Sequence, residues 1–289
     1  MNHFGELGAS RSRRRFLIAA LGAGAIPVRA SLKANLQIGT MDTVLKLPGK
    51  PEAVTAAKKL GLAAVQVTLG KSADGSTLPL QNAQLQQEYV SISRRHNIPI
   101  DSTYIDMLHV SCLKSDPNAP SWVSKGIDIT KKLGAPILMT VFFGKCAVLN
   151  HLELDHVIDA FRDLTRAAEQ ASVILGFENT LSAEDNRYAV DRINSPAFKV
   201  WYDVGNSTYN GYDVPKEIRM LGRDRICQFH FKDKGYLGEG AVKYDPILKA
   251  IDDIGFKGYA NLETTSPSGS VEEDTKRNLA YLQNLMSKA

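Results

Sequence analysis

The sequence predicts a single α/β domain folded as a closed (β/α)8 barrel, and three observations carry that expectation. Strand-like and helix-like stretches alternate from residue 36 to the C-terminus, with no long linker or low-complexity tract. About 259 residues follow an N-terminal address segment, close to the size of one eight-stranded barrel. Four metal-capable side chains, Glu178, Asp203, His230 and Glu263, each end a short apolar run. Their intervals of 25, 27 and 33 residues are about one strand–helix unit each.

The predicted strands are residues 36–40, 64–68, 98–104, 137–143, 173–177, 199–202, 226–231 and 259–262. Between them, helical patterns cover 51–60, 83–96, 121–133, 152–171, 184–193, 214–221 and 245–254, and a last helix covers 271–286. Several of these helices end at a glycine just past the last turn, as in Leu60-Gly61, Leu133-Gly134 and Ile254-Gly255. Eight strands alternating with eight helices are what the barrel needs. An open doubly wound sheet would show a glycine-rich turn after its first strand, and no G-x-G-x-x-G follows Thr40.

Residues 1–30 read as an export address, so the barrel domain is assigned to 31–289. Ser12-Arg13-Arg14-Arg15-Phe16-Leu17 has the form of a twin-arginine signal, and Val28-Arg29-Ala30 is a signal-peptidase site. The apolar run between them is about eleven residues, too short to anchor the chain stably across a bilayer. The expected location is therefore the periplasm or the exterior. This segment holds five Arg and one Glu, so the remainder has 30 basic and 30 acidic residues. The basic surface that would favour nucleic acid as a partner disappears with the signal. Cys112, Cys146 and Cys227 are odd in number and widely spaced, so no disulfide framework is visible; an exported protein leaves a single bridge open, and buried free thiols are the leading expectation.

If each of the four side chains caps one of four consecutive strands, all converge on the end of the barrel that carries chemistry. Two Glu, one Asp and one His make an oxygen-rich site for one divalent cation. Singly, each has an ordinary alternative: the glutamates as helix caps or solvated loop residues, Asp203 in a turn, His230 as a packed core residue. His230 lies between Phe229 and Phe231, so in a strand its side chain points opposite to theirs and faces the axis if they pack on helices.

The run Glu178-Asn179, Asp203-Val204-Gly205-Asn206, His230-Phe231-Lys232-Asp233, Leu237-Gly238-Glu239-Gly240, Gly258-Tyr259 and Leu262-Glu263 resembles the xylose-isomerase-like TIM-barrel superfamily of sugar isomerases and epimerases. The resemblance covers roughly residues 36–287. It implies that Glu178, Asp203, His230 and Glu263 bind manganese, magnesium, cobalt or zinc. It also implies that Glu178 and Glu263 act as catalytic acid/base groups on opposite faces of a sugar. The chemistry is coherent on its own terms. Proton removal beside a carbonyl makes a cis-enediolate, which needs a fixed positive charge. Return of a proton to the opposite face is epimerisation, and to the neighbouring carbon isomerisation.

Five further positions are candidate substrate contacts. Lys232 matches the superfamily's His-x-Lys-Asp lysine and either holds a substrate oxygen or pairs with Asp233 or Glu239. Asn206 stands where some relatives carry a His that touches substrate, and Gln66 stands where relatives often carry Glu. His109 and Lys145 follow the third and fourth strands on the correct rim. The Gly238-Glu239-Gly240 turn is either a phosphate cradle or a plain turn. Trp122 and Trp201 read as packing residues. The leading expectation is a metal-dependent isomerase or epimerase with a small sugar or keto-sugar as its partner, and a homo-oligomer is compatible with it. A lyase or hydratase acting on a 3-keto sugar or glycoside would use the same intermediate. A non-catalytic sugar-binding barrel is a third reading. An apurinic endonuclease is a fourth, but it needs extra histidines and an Asp-Arg-His motif where this chain reads Lys232-Asp233-Lys234.

Overall fold

The computed structural model describes residues 35–288. The twin-arginine segment and its boundary at residue 30 lie outside the described residues. Eight parallel strands, β1 (Leu36–Met41), β2 (Val65–Thr68), β3 (Ile100–Tyr104), β4 (Ile137–Val141), β5 (Ile174–Glu178), β6 (Phe198–Asp203), β7 (Ile226–Phe231) and β8 (Gly258–Leu262), pair in sequence order. β1 pairs with β8 and closes the barrel. The helices are α1 (Glu52–Lys59), α2 (Ala83–His96), α3 (Ala119–Leu133), α4 (His151–Ala171), α5 (Ala183–Ile193), α6 (Val204–Tyr209), α7 (Val214–Arg225), α8 (Tyr244–Asp253) and α9 (Val271–Lys288). The predicted fold class is the observed one. Among the described residues no helix is long and apolar enough to cross a membrane.

Local signals place the helix ends. Asn82, Asn150, Ser182 and Asp213 cap α2, α4, α5 and α7 by accepting a hydrogen bond from the third residue onward. α3 stops where Gly134 takes φ +72, as its sequence predicts. α7 is broken after Leu221 because Gly222 sits at φ 68, ψ 169, where the predicted helix ends. The short α6 was not anticipated. Asp203-Val204-Gly205-Asn206 reads as a turn, but Asp203 Oδ1 accepts the Asn206 amide at 2.9 Å and starts a helix there.

The core lies between the outer faces of the strands and the helices. α4 buries Leu154, Val157, Ile158, Phe161, Leu164 and Ala168 along one stripe. Phe161 meets Phe198 at 4.6 Å, and Phe142 meets Phe177 edge-on at 4.8 Å. On β7, Phe229 packs edge-on against Phe256 and Phe231 against Tyr244 of α8. Both phenylalanines therefore face outward, and His230 faces the axis.

One level below His230 the barrel interior is polar. Gln228 of β7 donates across the axis to Asp101 Oδ2 at 2.6 Å, and Asn261 of β8 donates to Ser102 at 3.5 Å. The β2–β3 register shifts between Val65 and Gln66, which leaves Asp101 without a strand partner at the irregularity. Burial pushes the Asp101 carboxyl up to about 7, against the lowering effect of hydrogen bonds from Asn261, Gln228 and Ser102. A carboxyl raised on folding stabilises most below its unfolded pKa, and that contribution is lost as pH rises through about 7. Asp101→Asn is thus expected to raise the melting temperature at about pH 8 and to flatten its fall between about pH 4 and pH 7. Asp42, raised to about 7 chiefly by burial, keeps part of the slope. An unchanged slope in thermal denaturation of the variant would sink this account.

The cysteine expectation is corrected. Cys112 and Cys146 form a disulfide with Cα atoms 4.8 Å apart, and only Cys227 is free among the described residues. The two bridged residues follow β3 and β4. Because neighbouring parallel strands deliver their loops side by side, residues 34 apart in the chain meet on one rim.

Candidate functional site

The four predicted ligands arrive by register. Asp203 and His230 are direct partners across β6–β7, Glu178 is the last residue of β5, and Glu263 follows β8. Their ligand atoms all lie within 4.8 Å of one another. Glu178, Asp203 and His230 are buried, and the Glu263 side chain is one-third exposed toward the mouth.

The imidazole is the hub. His230 Nδ1 lies 2.8 Å from Glu178 Oε1 and 3.2 Å from Glu263 Oε2, and Nε2 lies 3.0 Å from Gln66 Oε1. An amide oxygen only accepts, so Nε2 carries a proton and Nδ1 is the nitrogen turned to the carboxylates. Trp201 closes the ring's edge at 4.9 Å. Lys232 Nζ lies 2.9 Å from Asp203 Oδ2 and 3.0 Å from Glu263 Oε2.

Three carboxylates in so small a volume need positive charge, and the protonation states reflect this. Burial, then the Glu263 charge, pushes Asp203 up to about 7 even beside Lys232. Burial alone would lower His230, but Glu178 and Glu263 carry it up to about 10. Burial likewise works against the Lys232 ammonium, and Asp203 with Glu263 more than offsets it, holding Lys232 charged. Glu263 opposes its own burial through His230 and Lys232 and stays well below the usual carboxylate range. A donor set of three carboxylates and one imidazole nitrogen suits a hard-to-borderline divalent cation, with Gln66 fixing the imidazole as an outer partner. The residues present therefore fit a metal.

Above the cluster opens a cavity of about 370 Å³, lined by Met41, Thr43, Tyr104, Met139, Val141 and Phe143 together with His109, Asn206, Lys232, Glu178, His230 and Glu263. The predicted contacts divide accordingly. Lys232, Asn206 and His109 line it, and His109 stacks on Phe143 at 6.2 Å. Gln66 is fully buried beneath it, bonded to His230 rather than open to a sugar. Lys145 is exposed and does not line the cavity. Lys232 pairs with Asp203 and Glu263 instead of Asp233 or Glu239, because neighbouring strands bring those two closer than its own loop does. The packing assignment of Trp201 and Trp122 holds, as both are buried. Sequence reasoning did not pick out the apolar wall of Met41, Tyr104, Met139 and Val141. Its signal is the inward alternate position on β1, β3 and β4.

Comparison with known proteins agrees with this architecture. A 2-epi-5-epi-valiolone 7-phosphate 2-epimerase from an Actinoplanes species is 29% identical over 109 residues, 37% of this chain. The matched stretch spans only 39% of that relative's length. A D-allulose 3-epimerase from a Methylomonas species superposes with TM-score 0.71 at 15% identity, covering 89% of this chain and 100% of that one. The 3-keto-D-glucoside 4-epimerase YcjR of E. coli does so with TM-score 0.68 at 14% identity, covering 86% and 99%. At such identity these two structures speak for the fold. The model of one family, described as the xylose isomerase-like TIM barrel, matches residues 54–285. With that match over most of its length, the chain belongs to the xylose isomerase-like TIM barrel family.

Proposed function

We propose that this chain is a metal-dependent sugar epimerase or isomerase working through a cis-enediolate. The observation that carries the reading is the pair Glu178 and Glu263. They are delivered from strands three steps apart around the ring, yet both converge on one buried imidazole at the floor of the cavity. Glu178, Asp203, His230 and Glu263 would hold a divalent cation (manganese, magnesium, cobalt or zinc), which would supply the fixed positive charge that the enediolate needs. One glutamate takes the proton from the carbon next to that carbonyl, and the other returns a proton. Lys232, held charged between Asp203 and Glu263, reaches the cavity and donates to a substrate oxygen. Asn206 and His109 offer hydroxyl contacts at the mouth. Tyr104, Met139, Val141 and Phe143 keep water from the developing charge.

The test is incubation with a panel of ketoses and keto-glycosides in deuterated water, with each of the four metals added. Deuterium at the carbon next to the carbonyl is the expected result. Elimination of water or aglycone from a keto-glycoside would move the assignment to the lyase using the same intermediate. No exchange with any substrate and any metal would overturn the proposal.

Export in the folded state is part of the same proposal, motivated by Arg13-Arg14. The Cys112–Cys146 bridge supports it, since such bonds persist in oxidising compartments. Arg13→Lys with Arg14→Lys is expected to leave the protein unprocessed in the cytoplasm; unchanged processing in cell fractionation would refute it.

A further inference from the structure

Phosphorylated and free sugars differ by a dianion, and barrels of this class commonly hold a phosphate with backbone amides of the loops after β7 and β8 and the start of an adjoining helix. In this chain many of those amides are already engaged within the loops, several by its own carboxylates and others by Asn278, Ser268 and Ser270. Asp233, the residue after Lys232, is buried inside the loop that follows β7. Its Oδ2 accepts the amides of Gly238 and Gly240, both at 3.1 Å, and its Oδ1 accepts the Lys234 amide at 2.9 Å and the Tyr209 hydroxyl. The loop is wrapped so closely that a Cβ on Gly240 would lie 2.0 Å from Asp233 Oδ1. The glycine turn has the form of an anion cradle, and the anion in it is Asp233.

On the β8 side a carboxylate takes one amide, and serine hydroxyls take the amides of Ser270 and Glu273. Asp274 in the first turn of α9 accepts the Ser268 amide at 3.0 Å and the Tyr236 hydroxyl at 2.7 Å. Glu272 and Glu273 share that turn, so the helix start carries three carboxylates of its own. The nearby cations are engaged as well: Arg277 with Glu239 and over the Tyr236 ring, Lys276 with Glu272. Within the cavity, Lys232 is shared by two carboxylates and His109 stands 3.8 Å from Asp106. Lys71 and Lys234, near the mouth, are solvated side chains with partners of their own, Asp106 and the Tyr209 ring. A phosphate entering here would displace a buried carboxylate from its amides or sit unpaired beside it, and either is costly.

We infer that the substrate of this site is a neutral, unphosphorylated sugar, whose hydroxyls meet the polar floor while its C–H faces lie on the wall of Met41, Tyr104, Met139 and Val141. The inference rests on the sugar-enzyme reading above and narrows it. It sets this chain apart from the Actinoplanes relative, whose name specifies a 7-phosphate.

Two measurements test it. The first needs no turnover: inorganic phosphate is titrated calorimetrically into the metal-free protein, beside Asp233→Ser, which empties the cradle. The native chain is expected to show no saturable binding. Where the variant folds, its phosphate affinity is expected to exceed the native chain's by at least about tenfold, the equivalent of one charge-assisted hydrogen bond. Saturable phosphate binding by the native chain, displaced by a ketose phosphate, overturns the inference whatever the variant does. The second compares kcat/KM for a free ketose and its phosphate ester with the metal-loaded enzyme. A preference of at least about tenfold for the free sugar supports the inference, and equal or better use of the ester overturns it. A chain that exchanges no proton on any sugar refutes the enzymatic reading by itself, while the phosphate titration still decides whether the cradle accepts an external anion.

Discussion

Glu178→Gln and Glu263→Gln are each expected to lower turnover by roughly 10²–10⁴, the worth of a positioned acid/base group, while metal content falls only in part. The amide keeps an oxygen ligand and nearly the same volume but cannot accept the substrate proton. At Glu178 the substitution also turns His230 Nδ1, now 2.8 Å from a carboxylate oxygen, toward a neutral acceptor. The two variants should differ in a partial reaction. The one that keeps the abstracting base exchanges the substrate proton with solvent, and the other does not. Near-normal turnover in both, with metal confirmed by elemental analysis, would show that the glutamates are ligands only.

Asp203→Ala and His230→Ala are expected to lose metal and activity together, each weakening metal affinity by more than about 100-fold. Outer partners of metal ligands alone cost 10–100-fold, and the proposed metal would bind these two residues directly. The structural consequences differ. Without Asp203, Lys232 keeps only Glu263, 3.0 Å away, and α6 loses its cap at Asn206. Without His230, Glu178 and Gln66 face each other across a void with no shared donor. Metal analysis of the purified variants, with melting temperature as a check on folding, separates ligand loss from collapse. A double variant that still carries a full complement of metal would rule out the assignment.

The barrel and the convergence of four side chains were legible in the sequence because both follow from short-range periodicity. Each strand is a short apolar run, each of the four side chains stands at or beside the end of one, and alternation turned His230 inward between two phenylalanines. What was not legible depends on which strands are neighbours at a given height. Gln66 reaches His230 across 164 residues, and Lys232 finds Asp203 and Glu263 rather than the acids of its own loop. The Gly238–Gly240 turn shows amides free to bind an anion, but its sequence does not reveal that Asp233 curls back into them. The bridge between Cys112 and Cys146 was hidden for the same reason. It joins the loops after the neighbouring strands β3 and β4, and which positions of two loops meet is not written in the strand pattern.

That bridge changes what kind of object the mouth is. Loops at the open end of a barrel are ordinarily among the first segments to breathe. Here the backbone from residue 112 to 146, containing α3 and β4, forms a covalent ring, and His109 and Phe143 sit just outside and just inside its clasp. For a ring closed across 34 residues, chain entropy favours the folded state by roughly 4 kcal/mol. The bond takes that freedom chiefly from the unfolded chain, and it ties the loops after β3 and β4 to each other before any ligand arrives. A ligand entering the cavity meets a wall whose two loops are already tied together, so whether the bond has formed is part of what shapes the mouth.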